Sequence, residues 1–415
     1  MRIGILAYHF PPEPAFLVGS LAEELAARGH EVRVLTGFPD YPGGHVYPGW
    51  RQRWHHETHS LRLTVRRVPR FPRDDGTVRG RMAAYLSFAA GAGLVARRYL
   101  RGVDVLYVHQ VPAATLATVA VGRVLGSVPT VLHVQDVWAD AETLGGGEAA
   151  RRWSARLAGS AARAYRAADR LAVTAPSLRE PVVAAGGDPQ RIRLVPGWTD
   201  DRLFRPVAPS PAARRLVGAD RRCLVMHAGT IGVAEGLATA VRAAASLESK
   251  MQLVLVGSGG EESRVRRLAG ELGTGNIRFL PRRSALDMPE LSAAADYHLV
   301  AARDLPELRG RVPGKLTAAL SCAVPVVAAA AGDTAQIVER ARAGLSCPPE
   351  DWTALADRFW LASTIPESAR VEMGRRGRDT YLREMSMRAG VDRVERLLHE
   401  AVASRQEGFR NPVRR

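Results

Sequence analysis

The strongest constraint in this sequence is an alternation that runs twice. Short β-branched or apolar runs are separated by longer Ala-, Leu- and Arg-rich segments of helical period, the pattern of parallel strands joined by crossover helices. In the first half, strands are expected at Arg2–Ala7, Glu31–Thr36, Leu61–Val68, Val103–His109, Thr130–Gln135, Leu171–Thr174 and Ile192–Val195. Helices such as Val18–Arg28 and Glu148–Ala168 lie between them. The rhythm breaks at the Pro- and Arg-rich FRPVAPSPAARRLVGADRR, then resumes with strands at Cys223–Ala228, Gln252–Gly257, Ile277–Leu280, Tyr297–Val300, Val324–Ala328 and Gly344–Cys347. Helices are expected there at Gly236–Leu247, Glu261–Leu272, Leu286–Ala294 and Lys315–Ser321.

A chain of 415 residues exceeds one compact core, so the break divides it. The reading is an α/β fold of two Rossmann-like, doubly wound parallel-sheet domains, 1–203 and 222–384, with a linker at 204–221. The segment 385–415 follows, with a charged helix at Met385–Glu400, packing back on the first domain as one option, and a frayed tail, RQEGFRNPVRR. Doubly wound sheets bind ligands at the carboxyl ends of their strands, so the two edges are expected to face each other across a cleft.

The formal charge is +16, from 58 Lys and Arg against 42 Asp and Glu. That suits phosphate-bearing substrates, an anionic membrane surface or nucleic acid, and equally the Arg-rich output of a GC-rich genome. The basic residues show no aromatic interleaving and no nucleic-acid motif, so nucleic acid is the weakest of these. Cys223, Cys322 and Cys347 stand in apolar contexts without CxxC spacing and read as buried thiols of a reducing compartment. Met1-Arg2 leads directly into Ile3–Ala7, read as a strand and not a secretory signal. The apolar run Ala83–Ala96 has 14 residues, short of the ~20 that span a bilayer. Flanked by Arg79, Arg81, Arg97 and Arg98, it suits a helix lying on anionic lipid, although a helix buried against a sheet is the favoured reading. The expected location is the cytoplasm, with contact at the inner membrane face as an option.

Four stretches could carry chemistry. The loop YHFPPEPAFLVGSLAEEL follows the first strand, and a helix start near Gly19 would aim backbone amides at an anion or sugar, with His9, Pro12 and Glu13 beside it. HAGTIGVAEGL supplies Gly229, Thr230 and Gly232, and LVLVGSGG supplies Gly257, where glycine lets phosphates approach the backbone. Neither matches a dinucleotide or ATP-binding fingerprint. RDLPELRGRVPGKL gathers Arg303, Arg309, Arg311 and Lys315 around a helix start, a good place for a diphosphate, and Arg282 follows the strand Ile277–Leu280. His109 and His133 end neighbouring strands near Asp136, and one of them, or His9, is a candidate base for an acceptor hydroxyl. The chain contains no D-x-D, HExxH or Cys/His cluster, so no metal and no other cofactor is expected. Fixed Lys, Arg and helix dipoles would then neutralise a departing diphosphate.

These strings resemble glycosyltransferase family 4, in particular its colanic-acid-type and N-acetylfucosamine-transferring bacterial subgroup. The resemblance rests on YHFPPEP, LAARGHEVRVLTGFPDYPGG, RRVPRFP, HVQDVWAD, LVPGWTDDRLFRP, HAGTIG, IRFLPRRS, ADYHLV, VPGKL and GLSCPPEDW. It implies a GT-B fold, retention of anomeric configuration and no metal. The donor, a UDP-sugar in preference to a GDP-sugar, would bind the second domain, and a lipid-linked saccharide or small-molecule acceptor the first. Lys315 matches the lysine that meets the donor phosphates, and Asp136 matches an acidic residue of the subgroup. The family's two glutamates fall on Gly310 and Ala318, and its post-strand Arg and Lys are replaced around Val233, Ala234 and Glu235.

The reading is therefore a hexosyl- or N-acetylhexosaminyl-transferase of polysaccharide, glycolipid or secondary-metabolite biosynthesis. The leaving diphosphate is expected to take up much of the acceptor proton, and Lys315→Ala is expected to cut turnover more than folding. A nucleotide-sugar epimerase on the same fold and a degenerate, non-catalytic partner subunit are the alternatives, the second prompted by the missing glutamates.

Overall fold

The computed structural model describes residues 1–41, 43–72, 77–136 and 147–410, the last four by backbone alone. These residues form two compact units. One comprises Met1–Pro196 and the chain from Gly390 onward, the other Gly197–Ala389.

The strands of the first unit are β1 (Arg2–Ala7), β2 (Glu31–Gly37), β3 (His56–Ser60), β4 (Leu63–Val68), β5 (Val105–Gln110), β6 (Thr130–Val134), β7 (Arg170–Val173) and β8 (Ile192–Leu194). They make one eight-stranded sheet in the order β3-β4-β2-β1-β5-β6-β7-β8. All neighbours are parallel except β3, which is antiparallel to β4. Central strands covered on both faces must be apolar throughout, and Ile3, Ile5, Leu6, Val105, Leu106 and Val108 are buried accordingly. β3 has no such signal. Its sequence, HETHS, is polar and half-exposed at the sheet edge, so apolar patterning misses it, and the strand expected over Leu61–Val68 splits into a hairpin arm with Leu61 fully exposed at the turn.

The helix Phe16–Ala27 ends before Gly29, whose φ of +93° turns the chain into β2. The apolar run at Ala83–Ala96 is the middle of a 22-residue helix, Val78–Tyr99, opened by the Thr77 hydroxyl accepting from the Gly80 amide. Its inner face (Met82, Tyr85, Phe88, Ala92) is buried against helix Thr115–Leu125 and strands β2 and β4. No described helix is long and apolar enough to cross a membrane.

The closing helix runs Met387–Arg410, so the tail expected to fray from residue 405 stays helical to 410. Within the first unit Glu395 accepts from Arg28 at 2.6 Å and pairs with His30 at 2.7 Å, and Arg170 reaches Glu400 at 3.1 Å. These contacts explain why the helix persists.

The second unit has β9 (Cys223–Ala228), β10 (Met251–Val256), β11 (Ile277–Leu280), β12 (Tyr297–Ala301), β13 (Val326–Ala329) and β14 (Gly344–Cys347). They form a six-stranded parallel sheet in the order β11-β10-β9-β12-β13-β14. Its core gathers Val225, Leu253, Leu255, Leu299, Val327 and Phe359. Helix Glu367–Glu384 packs tightly through small residues: a Cβ on Gly374 would lie 2.0 Å from the Ala323 carbonyl oxygen. Gly374→Ala is therefore expected to cost about 1–3 kcal/mol, read as a lower urea midpoint with an unchanged slope.

Candidate functional site

In each sheet the chain reverses its direction of winding once. In the first unit the strands after β1 go to one side (β2, β4) and later strands to the other (β5, β6), so the loops leaving β1 and β5 diverge. In the second unit the same divergence falls between β9 and β12. Such switch points leave a crevice beyond the carboxyl ends of the strands, where ligands of open α/β sheets bind.

At the switch point of the first unit the organising group is Glu13, whose side chain is wholly buried. Its Oε1 accepts from the Asp40 and Tyr41 amides at 3.2 and 3.1 Å and from Arg70 at 3.0 Å, and its Oε2 from the Phe10 amide at 3.2 Å. His9 Nδ1 lies 2.8 Å from Oε1. Arg70 also binds the Asp40 carboxylate and donates to the Tyr8 carbonyl at 2.9 Å, with its guanidinium 4.3 Å from the Tyr8 ring centre. Arg67 donates to the carbonyls of Gly37, at 2.9 Å, and Pro11, and burial pulls its pKa down to about 10. One buried ion cluster thus ties together the loops after β1, β2 and β4. Burial alone would raise the Glu13 pKa, but the His9 hydrogen bond, the Arg70 charge and the Asp40 amide together bring it below the ordinary value. Asp40 goes the other way, because its own burial outweighs the pull of Arg70.

His9, Glu13 and Asp40 present ligand atoms within 4.8 Å of one another. A cation among them would have to displace the Arg70 guanidinium, which already engages both carboxylates. Pro12, joined to Pro11 by a cis peptide, is exposed. Gly19 plays a different part from the one expected. The helix begins at Phe16, the Gly19 amide is spent on the Ala15 carbonyl at 3.1 Å, and a Cβ there would lie 2.5 Å from Pro11. It makes room for the proline and presents no amide to a ligand.

The two strand-end histidines separate in role. His133 is fully buried, with Nε2 2.9 Å from the Val195 carbonyl and Nδ1 2.8 Å from the Tyr107 hydroxyl. A carbonyl can only accept, so Nε2 carries the proton and Nδ1 accepts from the tyrosine; burial pushes the pKa down to about 4. With both nitrogens engaged, His133 is a neutral structural residue in place of the expected base. His109 stands beside Ala7 near the end of β5, half-buried, with a buried Nδ1 that has no hydrogen-bond partner among the described residues. Burial first, then His133 and His9, lower its pKa to about 3. Asp136 is exposed just past β6, and the rest of its motif, Val137–Asp140, lies outside the described residues.

In the second unit, β9 runs into a turn with Gly229 at φ +147° and Gly236 at φ +58°. A Cβ on Gly257, after β10, would lie 1.9 Å from the Gly229 carbonyl oxygen, so Gly257 serves the close approach of the two loops. The Gly229 amide is bonded to Val256 at 2.9 Å, whereas those of Thr230 and Gly232 donate to no acceptor among the described residues. Lys315, in the first turn of helix Gly314–Ser321, extends its Nζ back to this turn, 3.9 Å from where a Gly229 Cβ would stand. There it donates to Glu235 Oε1 at 3.2 Å, both side chains being nearly buried. Burial lowers the Lys315 pKa more than Glu235 raises it, with Arg311 adding to the fall.

The basic residues around Lys315 are dispersed. Arg309 is half-exposed and paired with Asp304 at 3.0 Å, Arg303 with Glu350 at 3.2 Å, and Arg311 and Arg282 are exposed. The sequence counted Glu235 as a lost basic residue. Its role as the partner of Lys315 depends on a contact across 80 positions that no local pattern carries.

Family models for the glycosyl transferase 4-like domain match residues 15–198, and for group 1 glycosyl transferases residues 222–360. An Escherichia coli (strain K12) protein assigned as a colanic acid biosynthesis glycosyl transferase is 29% identical over 318 residues, 72% of this chain and 76% of the relative. A D-inositol 3-phosphate glycosyltransferase of Acidothermus cellulolyticus is 34% identical over 193 residues, covering 43% of this chain and 42% of the relative. Among solved structures, the sucrose-phosphate synthase of Thermosynechococcus elongatus has a TM-score of 0.73 at 21% identity, covering 97% of this chain and all of that one. Anabaena HepE, solved in complex with UDP and glucose, gives 0.69 at 19% identity over 96% of this chain and 99% of its own. The fold is GT-B. The chain belongs to the family 4-like glycosyltransferases.

Two stability experiments follow from the ion pairs. Arg70→Met leaves two carboxylates buried without their cation and is expected to cost about 3–5 kcal/mol, measured by urea unfolding. Lys315→Met is expected to destabilise by stranding Glu235. Adding Glu235→Gln should restore most of that loss.

Proposed function

We propose that the chain transfers a sugar from a nucleotide-diphosphate donor, a UDP-sugar in the first instance, to an acceptor hydroxyl, with retention of configuration and without a metal ion. The donor is held by the second unit and the acceptor by the first. The observation that carries this is the turn after β9, where the Thr230 and Gly232 amides and the Lys315 ammonium gather at the switch point of the sheet. Amides and an ammonium on a rigid strand-to-helix junction suit a diphosphate, and fixed donors cost no reorganisation as charge develops on the leaving group. Glu235 sets the terms of entry. In the free protein it neutralises Lys315, and the diphosphate competes for that ammonium. The UDP and glucose bound in the HepE structure support the choice of donor class.

The acceptor is a lipid-linked saccharide or a small molecule; one relative is assigned to colanic acid biosynthesis and another to D-inositol 3-phosphate. Helix Val78–Tyr99 turns Leu86 and Leu94 outward, 46% and 75% exposed, next to Arg97 and Arg98. This face suits peripheral contact with an anionic membrane from the cytoplasmic side.

The test is a thermal-shift panel of UDP-, GDP- and dTDP-sugars, each with and without EDTA. UDP-sugars are expected to stabilise by more than ~1 kcal/mol, unaffected by the chelator. NMR of the product should show the donor's anomeric configuration retained. No stabilisation by any nucleotide would support the non-catalytic alternative, and a sugar isomer formed from donor alone would support the epimerase.

A further inference from the structure

A backbone turn binds an anion only where its amides face the ligand and its carbonyls are turned away or already bonded. Past the ends of β9 and β10 the two chains stay paired. The Gly229 amide donates to the Val256 carbonyl at 2.9 Å and the Ile231 amide to the Ser258 carbonyl at 3.0 Å. Backbone that pairs through alternate residues turns the ones between them to the opposite side, which is where the Thr230 and Gly232 amides are left over. It also carries a residue's carbonyl on the side of its own amide, so the Thr230 amide brings its carbonyl with it. A bare carbonyl oxygen at that place would face the oxygens of a diphosphate, like charge against like.

His227 takes up that carbonyl. It is the last residue but one of β9, wholly buried and in register with Leu255 of β10, and its Nε2 lies 3.2 Å from the Thr230 oxygen. A carbonyl can only accept, so Nε2 carries the proton. Burial first, then the charge of Lys315, push the His227 pKa down to about 3, and the ring is neutral with that N–H spent on Thr230. The carbonyls that follow are bonded by backbone: that of Ile231 by the Glu261 amide at 3.0 Å, that of Gly232 by the Glu235 amide at 3.3 Å and that of Ala234 by the Arg303 amide at 2.9 Å. Thr230 is held by a side chain instead.

We propose that His227 is a positioning residue for the diphosphate: by bonding the Thr230 carbonyl it lets the turn after β9 present the Thr230 and Gly232 amides to the ligand without that oxygen. This rests on the donor reading argued above and lies wholly within the second unit. His227 acts through Thr230 and does not itself meet the ligand. Its effect is therefore on the phosphate part of the donor and not on the nucleoside.

The test uses the full chain and calorimetric titration with three probes: inorganic pyrophosphate, whichever of UDP, GDP or dTDP stabilises the wild type most, and the matching nucleoside. Titrations are run at a temperature where thermal unfolding shows each variant folded. His227→Leu fills similar space without an N–H and is expected to weaken pyrophosphate and the nucleoside diphosphate by about 10–100-fold. Nucleoside affinity should stay at the wild-type value. His227→Gln, whose side-chain amide can reach the same carbonyl, should recover most of the loss. His227→Met serves in the same way if the leucine variant does not fold. An apolar variant that unfolds at a lower temperature yet binds the diphosphates as the wild type does would overturn the proposal with the donor reading intact. Equal losses in the leucine and glutamine variants, or a nucleoside weakened by the same factor, would do the same. A wild-type chain that binds neither pyrophosphate nor any of the nucleoside diphosphates would overturn both.

Discussion

The first unit depends on a single buried carboxylate. Glu13 contributes one negative charge to an interior where an unpaired ion would be strongly destabilising, and three loops supply what compensates it. The segments YHFPPEP, GFPDYPGG and RRVPRFP lie apart in the sequence, yet Glu13 from the first, Asp40 from the second and Arg70 from the third meet in one cluster. A loop built this way is as well held as a strand, and it carries a histidine whose free nitrogen is fixed in place.

The second unit solves a different problem with a similar device. A lysine buried beside glycine-rich turns is costly as a lone cation, and Glu235 makes it tolerable. The family's carboxylates at Gly310 and Ala318 are absent, and the acid of this site comes instead from the turn after β9. On the proposed reading the charge balance around the diphosphate is therefore rearranged, and Lys315 is presented in a neutralised pair that the donor must open.

The alternation of apolar runs and helical segments was enough to place β1, β9, β11 and β14 to the residue; for β1 and β9, which are central in their sheets, burial on both faces leaves little freedom of composition. β3 escaped because an edge strand needs no apolar pattern. The site was legible as a set of loops but not as a set of contacts. His9, Glu13 and Lys315 could be named from their positions after strands and before a helix. The sequence could not show that Gly19 gives way to Pro11, that His133 is enclosed by Tyr107 and Val195, or that Glu235 pairs with Lys315. Each of those facts is set by tertiary packing across distant positions, which local propensity does not encode.

The most direct measurement of the central claim is a crystal structure of the full chain with UDP bound. The diphosphate oxygens are expected within hydrogen-bond reach of the Thr230 and Gly232 amides and of Lys315 Nζ, with the Lys315–Glu235 contact lengthened or broken. A diphosphate seated elsewhere, with Lys315 still closed on Glu235, would contradict the account.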